Sequence, residues 1–241
     1  MPLLSISGLS KSFGGLLAID NVSFDVEAGQ IVGVIGPNGA GKSTLFNVLT
    51  GFYPETRGDW RLADQPLKGL SPESICSYGM VRTFQIVQPF PGMTVRENAM
   101  VAAVHRSRSR KEAGQFADEA LLWVGLDVKA EQAIGSLTLA DKKALEMAKA
   151  CASGARVILL DEVMAGLRPL EVERVVQTIL TLRRERNLTF MIVEHLMDAV
   201  MALSDKIVVL NFGALLAQGS PAEIRRNPKV LEAYLGVGVD A

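Results

Sequence analysis

Three things are scarce in this sequence, and each scarcity removes a class of function. Charge imbalance is the first: 25 Lys and Arg stand against 26 Asp and Glu, a formal net charge of -1. No global basic field therefore draws the chain to nucleic acid or to an anionic bilayer. Cysteine is the second. Cys76 and Cys151 lie far apart and form no C-x-x-C pair. That argues against a disulfide framework or a zinc site, and predicts two buried free thiols in a reducing compartment. Long apolar runs are the third. Mean hydropathy is positive, +0.24, yet stretches such as Val157–Leu160 and Ile207–Leu210 fall far short of the ~20 residues a bilayer-spanning helix needs. Any tie to a membrane then comes through a docked partner. The N-terminus has no basic segment ahead of a long apolar core, which predicts no signal peptide and a cytoplasmic location.

What is present is the composition of a folded domain. Apolar residues make up 49% and charged residues 21%, which excludes disorder. The length of 241 residues suits one domain, or one domain carrying an inserted subdomain. Leu4 and Ile6, then Val22, Phe24 and Val26, alternate with polar residues as strands with one wet face do. The runs 30–35, 156–160, 188–193 and 206–210 are instead nearly continuously apolar, as in strands buried on both faces. Helical patterns near 170–186 and 195–203 separate the later ones, which predicts a parallel α/β sheet. Residues 97–104, 112–126 and 139–152 are helical in period with no buried strand between them, so a helical insertion is expected there. Ser220-Pro-Ala-Glu223 carries the cap, the first-position proline and the reach-back carboxylate that open a last helix.

Two strings carry the chemistry. Gly36-Pro-Asn-Gly-Ala-Gly-Lys-Ser-Thr44 fits G-x-x-x-x-G-K-[ST] and lies between a buried strand and a helical pattern. Glycines let the backbone curl so that successive N–H groups face phosphate oxygens, and the helix N-terminus adds its positive end. Lys42 is expected to reach the β- and γ-phosphates and Ser43 to ligate magnesium. The second string, Val157-Ile-Leu-Leu-Asp161-Glu162, is an apolar strand ending in two carboxylates. At the carboxyl end of a strand in an open α/β sheet they lie beside the phosphate loop. One carboxylate is placed to hold the metal shell and the next to orient and deprotonate an attacking water.

With these in order, nearly the whole chain resembles the ATP-binding subunit of an ABC transporter. The resemblance implies a P-loop NTPase (RecA-like) α/β core, an N-terminal antiparallel β subdomain and an inserted α-helical subdomain over 86–154, all in one domain spanning 1–241. It implies that ATP is bound by Phe13, which matches the aromatic that stacks on adenine, and by Gly36, Pro37, Asn38, Gly39, Ala40, Gly41, Lys42, Ser43 and Thr44. Gln85, in Arg-Thr-Phe-Gln, matches a glutamine at the metal and water site. Magnesium is then held by Ser43, Gln85 and Asp161. Glu162, Lys42 and His195, the last matching the switch histidine, are the implied catalytic groups. Gly166 falls in the loop that crosses the dimer interface. Two such subunits face head to tail, so Thr138 and Ala140 of one contact the nucleotide on the other.

The signature segment departs from its usual Leu-Ser-Gly-Gly-Gln and reads Leu137-Thr-Leu-Ala-Asp141. Thr138 keeps a hydroxyl, Asp141 is expected to cap the following helix, and Lys142 and Lys143 to supply positive field. Val163 and Arg168 replace the usual Pro and Asn or Asp. The segment Arg82 to Asn98 and the tail over 220–241 are similar to the LivG-type subunits of branched-chain amino-acid importers. That similarity implies an ATP-hydrolysing subunit of an importer for branched-chain or other amino acids or related small acids and amides. Its partners are membrane permease subunits, a second ATP-binding subunit and, indirectly, a substrate-binding protein. Its place is the inner face of the cell membrane, with no nucleic-acid partner. Two alternatives stand beside it: a catalytically weak regulatory partner in a heterodimer, and a soluble non-transport ABC ATPase. The basic run His105-Arg-Ser-Arg-Ser-Arg110 reads as a solvated loop.

Overall fold

The structure, a computed structural model, describes residues 1–84 and 86–235. Gln85 and the end of the expected tail, 236–241, lie outside the described residues.

In chain order the strands are β1 (Leu4–Phe13), β2 (Leu16–Val26), β3 (Ile31–Ile35), β4 (Arg57–Leu62), β5 (Gln65–Pro66), β6 (Met80–Arg82), β7 (Val157–Asp161), β8 (Thr189–Val193), β9 (Lys206–Asn211) and β10 (Ala214–Gly219). The helices are α1 (Lys42–Leu49), α2 (Pro72–Tyr78), α3 (Val95–Ala103), α4 (Arg110–Trp123), α5 (Leu139–Ala152), α6 (Pro169–Arg186), α7 (Met197–Leu203), α8 (Pro221–Arg225) and α9 (Pro228–Leu235).

The strands form one sheet in the order β5-β4-β1-β2-β10-β9-β3-β8-β7-β6. The half from β9 through β3, β8 and β7 to β6 is parallel. β1, β2, β4 and β5 pair antiparallel. The expected antiparallel N-terminal part is therefore present. It joins the main sheet through β10, which runs antiparallel to β9 and meets β2 at Ala214 and Asp20.

The apolar runs of β3, β7 and β8 are buried at every residue, because both faces of the sheet are covered. Along β7, Val157 and Leu159 face α1 through Leu45, Phe46 and Leu49, while Ile158 and Leu160 face the helical side through Leu145 and Ala148. Each such side chain contributes about 1.5–3 kcal/mol of burial. Helices α3, α4 and α5 pack on one another through alanines, among them Ala99, Ala117, Ala120 and Ala148, whose small side chains let the helices approach.

The Ser220–Glu223 capping box forms as expected, but it opens two helices rather than one. Asn227 and Pro228 divide α8 from α9. Proline lacks a donor and disfavours α geometry in the residue before it, and Asn227 Oδ1 accepts the Lys229 N–H at 3.0 Å. In the basic run, Arg106 departs from the solvated reading, with its guanidinium 3.5 Å from the centre of the Phe116 ring. Both cysteines are free; Cys151 is buried and Cys76 half-buried.

Candidate active site

β3 delivers the chain into the phosphate loop at Gly36, where only glycine fits: a Cβ there would lie 2.2 Å from the carbonyl oxygen of Leu210. The loop ends at Gly41, whose φ of 101° is open to glycine and strained for other residues. α1 then starts at Lys42. The Lys42 ammonium folds back under the loop and donates to the carbonyls of Gly36 at 2.7 Å and Pro37 at 3.0 Å. It is 7% exposed. Burial is the chief reason its pKa sits below the ordinary lysine value, against the opposing pull of Glu162 and Asp161. The loop thus encloses a cation at the floor of a cleft of about 450 Å³. Asn38 to Thr44 line one part of that cleft, Glu162 and His195 another, and Phe13 with Leu16 and Leu17 a third.

The acid pair sits where β7 ends. Asp161 is buried and its carboxylate accepts from Arg82 Nη2 at 2.6 Å. Arg82 comes from β6, and its other arm donates to Asn47 Oδ1 at 2.6 Å, while its plane stacks over Phe84 at 4.9 Å. Burial raises the Asp161 pKa and outweighs the lowering pull of Arg82. The next residue, Glu162, has φ 51°, a left-handed conformation costing a non-glycine residue on the order of 1 kcal/mol. Its backbone is held at both ends: the N–H donates to Val193 O at 2.9 Å and the carbonyl accepts from Lys143 Nζ at 2.9 Å. This conformation turns the Glu162 side chain into the cleft, where Oε1 meets His195 Nε2 at 3.0 Å. Behind them the buried Glu194 accepts the Met164 N–H at 2.6 Å, and burial lifts its pKa above the usual carboxylate range.

Residues 19–165 match the ABC transporter family. The chain belongs to that family. Residues 214–240 match a second, narrower description, the branched-chain amino acid ATP-binding cassette transporter. Among curated proteins, the chain is 44% identical to the high-affinity branched-chain amino acid transport ATP-binding protein BraF of Pseudomonas aeruginosa, over 98% of each. It is 42% identical to the corresponding protein LivG of Escherichia coli, again over 98% of each. The structure superposes with a TM-score of 0.88 on a solved ATP-binding cassette of an ABC transporter in its ADP conformation, at 30% identity over 98% of this chain and 100% of that one. A nucleotide-free cassette matches at the same TM-score and 31% identity, over 98% and 100%.

Within this ABC cassette most of the residues singled out from sequence share one cleft: Phe13, Asn38, Gly39, Ala40, Gly41, Lys42, Ser43, Thr44, Glu162 and His195, while Gly36 and Pro37 hold the Lys42 ammonium through their carbonyls. Asp161 lies beneath it, close enough that Lys42 feels its charge. Thr138 and Ala140 do not join them. They line a separate depression with Lys129, Arg168 and Leu170. There Thr138 caps α5, donating to Asp141 Oδ2 at 2.8 Å and accepting the Asp141 N–H at 3.2 Å. Asp141 caps the helix as expected, but its cation is Lys129, 2.7 Å from both carboxylate oxygens. Lys143 instead turns inward to the Glu162 carbonyl, because it follows Asp141 by two residues and so points to another face of α5. Arg168 precedes α6 and holds Glu171 at 2.6 Å.

Sequence reasoning missed Arg82 and gave Lys143 a different role, since Lys143 holds the Glu162 carbonyl rather than supplying field at Asp141. Arg82 adjoins the Thr-Phe-Gln string, but nothing local says that it reaches a carboxylate 79 residues away. Among the described residues no three His, Cys, Asp or Glu side chains form a metal cage of their own. The donors offered are the Ser43 hydroxyl and the Asp161 carboxylate. They are hard oxygen donors, the set that suits magnesium when water and phosphate complete its shell.

Proposed function

We propose that this cassette binds and hydrolyses ATP to drive an importer of branched-chain or other amino acids or related small acids and amides. The observation that carries the chemistry is the cleft itself, which has Lys42 on its floor and the Glu162–His195 pair on its wall. Loop N–H groups and the α1 N-terminus take the phosphates. Lys42 exchanges the carbonyls of Gly36 and Pro37 for the β- and γ-phosphate oxygens, where its charge offsets the negative charge that develops in the transition state. Glu162 accepts the proton of the attacking water, and His195 holds the Glu162 carboxylate and reaches the γ-phosphate. Phe13 stacks on the base. Ser43, Gln85 and Asp161 would hold magnesium, which supplies further charge neutralisation at the phosphates.

Thr138 and Ala140 lie outside the cleft, which supports a role toward the nucleotide of a second cassette. The segment 86–154 is the inserted helical subdomain that docks on membrane permeases at the inner face, and 220–241 is the tail of the branched-chain type. A substrate-binding protein acts through the permeases. No helix among the described residues is long and apolar enough to cross a membrane, which supports docking rather than insertion. One observation favours the second reading, a weakly active partner in a heterodimer: the Thr138 hydroxyl proton is already directed at Asp141.

Lys42→Ala removes a cation from the phosphate site and should lower ATP turnover by about 10²-fold or more. Phosphate release by the purified chain, alone and with its permeases, measures this. A wild-type rate in Lys42→Ala sinks the assignment.

A further inference from the structure

The cleft has a second aromatic wall that the phosphate machinery leaves unused. Phe212 and Gly213 form the two-residue turn between β9 and β10, with Asn211 and Ala214 paired across it. Both turn residues have positive φ, 46° and 81°, the pattern of the type I′ hairpin, whose first position favours Asn, Asp or Gly. A phenylalanine there works against the local preference, and such a conflict marks a position chosen for something other than the turn. Phe212 is 87% exposed. Among the described residues no other aromatic ring and no cation lies against it.

The turn is nevertheless fixed. The Gly213 N–H donates to the Ala40 carbonyl of the phosphate loop at 3.1 Å, and the Gly213 carbonyl accepts the Asp20 N–H at 2.9 Å. A Cβ on Gly213 would come within 2.8 Å of the Ala18 carbonyl oxygen, and one on Gly41 within 2.6 Å of the same atom. Phosphate loop, β2 and hairpin therefore touch backbone to backbone, and Phe212 is carried at a set place beside the loop. It lines the same cleft as Phe13, Leu16 and Leu17. That cleft is polar around Lys42, Ser43, Thr44, Glu162 and His195, and apolar where these four side chains stand.

We infer that Phe212 is a second base-contacting residue, supplying an apolar aromatic surface for adenine in addition to Phe13. The inference rests on the reading that the phosphate loop holds the triphosphate. With the phosphates on the loop, the flat neutral base extends toward the apolar end of the cleft. An aromatic ring held there removes apolar base surface from water and stacks on it without needing a hydrogen-bond code.

The test is binding of ATP and of inorganic tripolyphosphate to the purified full chain by calorimetry, in wild type, Phe212→Asn and Phe212→Tyr. Asn suits the turn, so that variant should fold at least as well as wild type. Phe212→Asn should weaken ATP about tenfold, or about 1.4 kcal/mol, and shift tripolyphosphate by less than about twofold, within the spread expected of one stacked base. Phe212→Tyr keeps the ring and should bind ATP as wild type does. The inference is overturned if Phe212→Asn retains wild-type ATP affinity, if Asn and Tyr weaken ATP equally, or if tripolyphosphate falls in step with ATP. A wild-type chain that binds neither ligand overturns it together with the site reading. Wild-type binding with an indifferent Phe212→Asn leaves that reading standing.

Discussion

Arg82→Met is the perturbation whose size the structure fixes best. The Arg82–Asp161 contact is 2.6 Å long, and the two side chains are only 7% and 6% exposed. Methionine keeps much of the stem volume but leaves the Asp161 carboxylate buried with its ion-pair partner gone, and Asn47 Oδ1 without the guanidinium donor. Removing one member of a buried pair costs about 3–5 kcal/mol, because the remaining charge is left uncompensated. At this chain length about 1 kcal/mol corresponds to about 2 °C, so Tm should fall by about 6–10 °C at pH 7. Burial already raises the Asp161 pKa, and loss of Arg82 raises it further. A carboxyl whose folded pKa exceeds its unfolded value stabilises below the unfolded pKa and loses that contribution as pH rises through the folded one. The gap between variant and wild type should therefore narrow on acidification. Adding Asp161→Asn removes the orphan charge and should recover part of the loss. Thermal and urea unfolding of wild type, the single variant and the double variant, at neutral and mildly acidic pH, measure all of this. A Tm loss under about 2 °C, or a double variant no more stable than Arg82→Met, would refute the argument.

Two further outcomes follow from the same geometry. Burial works to raise the Asp141 pKa, but Lys129 and the capping bonds of Thr138 outweigh it and leave it low. A lowered carboxyl stabilises above its unfolded pKa and loses that as pH falls through the folded value, so Asp141→Asn should cost about 1–2 kcal/mol at pH 7 and progressively less in acid. Paired Tm–pH curves that stay parallel would contradict this. Burial pushes the Cys151 thiol up to about 12, so at pH 8 it holds almost no thiolate. In a Cys76→Ser background, a thiol reagent should label the native protein no faster than it unfolds. Rapid labelling would place Cys151 elsewhere.

The parts of the fold legible in sequence are those where one signal dominates. β3, β7, β8 and β9 show as apolar runs because both sheet faces are covered, and the G-x-x-x-x-G-K-S string is contiguous. α5 over 139–152 was readable because its period and its cap agree. β4, β5, β6 and α2 left no comparable mark: β4 buries only Trp60 and Leu62 and α2 only Ile75, β5 is too short to show a period, and three-residue β6 is a strand only because β7 lies beside it. β10 has intermediate burial along nearly its whole length and therefore no alternation to read. Within the site, residue types were legible and their partners were not. Glu162 is visible as a carboxylate, but its left-handed backbone depends on Val193 and Lys143. Asp161 reads as a metal-side acid, yet its ion pair with Arg82 comes from sheet register. Phe212 escaped notice because a lone aromatic before glycine carries no pattern.

The most direct test of the central claim, that Glu162 activates water on an ATP bound over Lys42, is single-turnover hydrolysis by wild type and Glu162→Gln with bound nucleotide counted in parallel. Glutamine keeps the shape and removes the basicity. The account predicts that Glu162→Gln binds ATP as wild type does, hydrolyses it at least about 10²-fold more slowly, and retains the intact triphosphate in a stable dimer. A monomeric Glu162→Gln protein that converts bound ATP to ADP at the wild-type rate would contradict it.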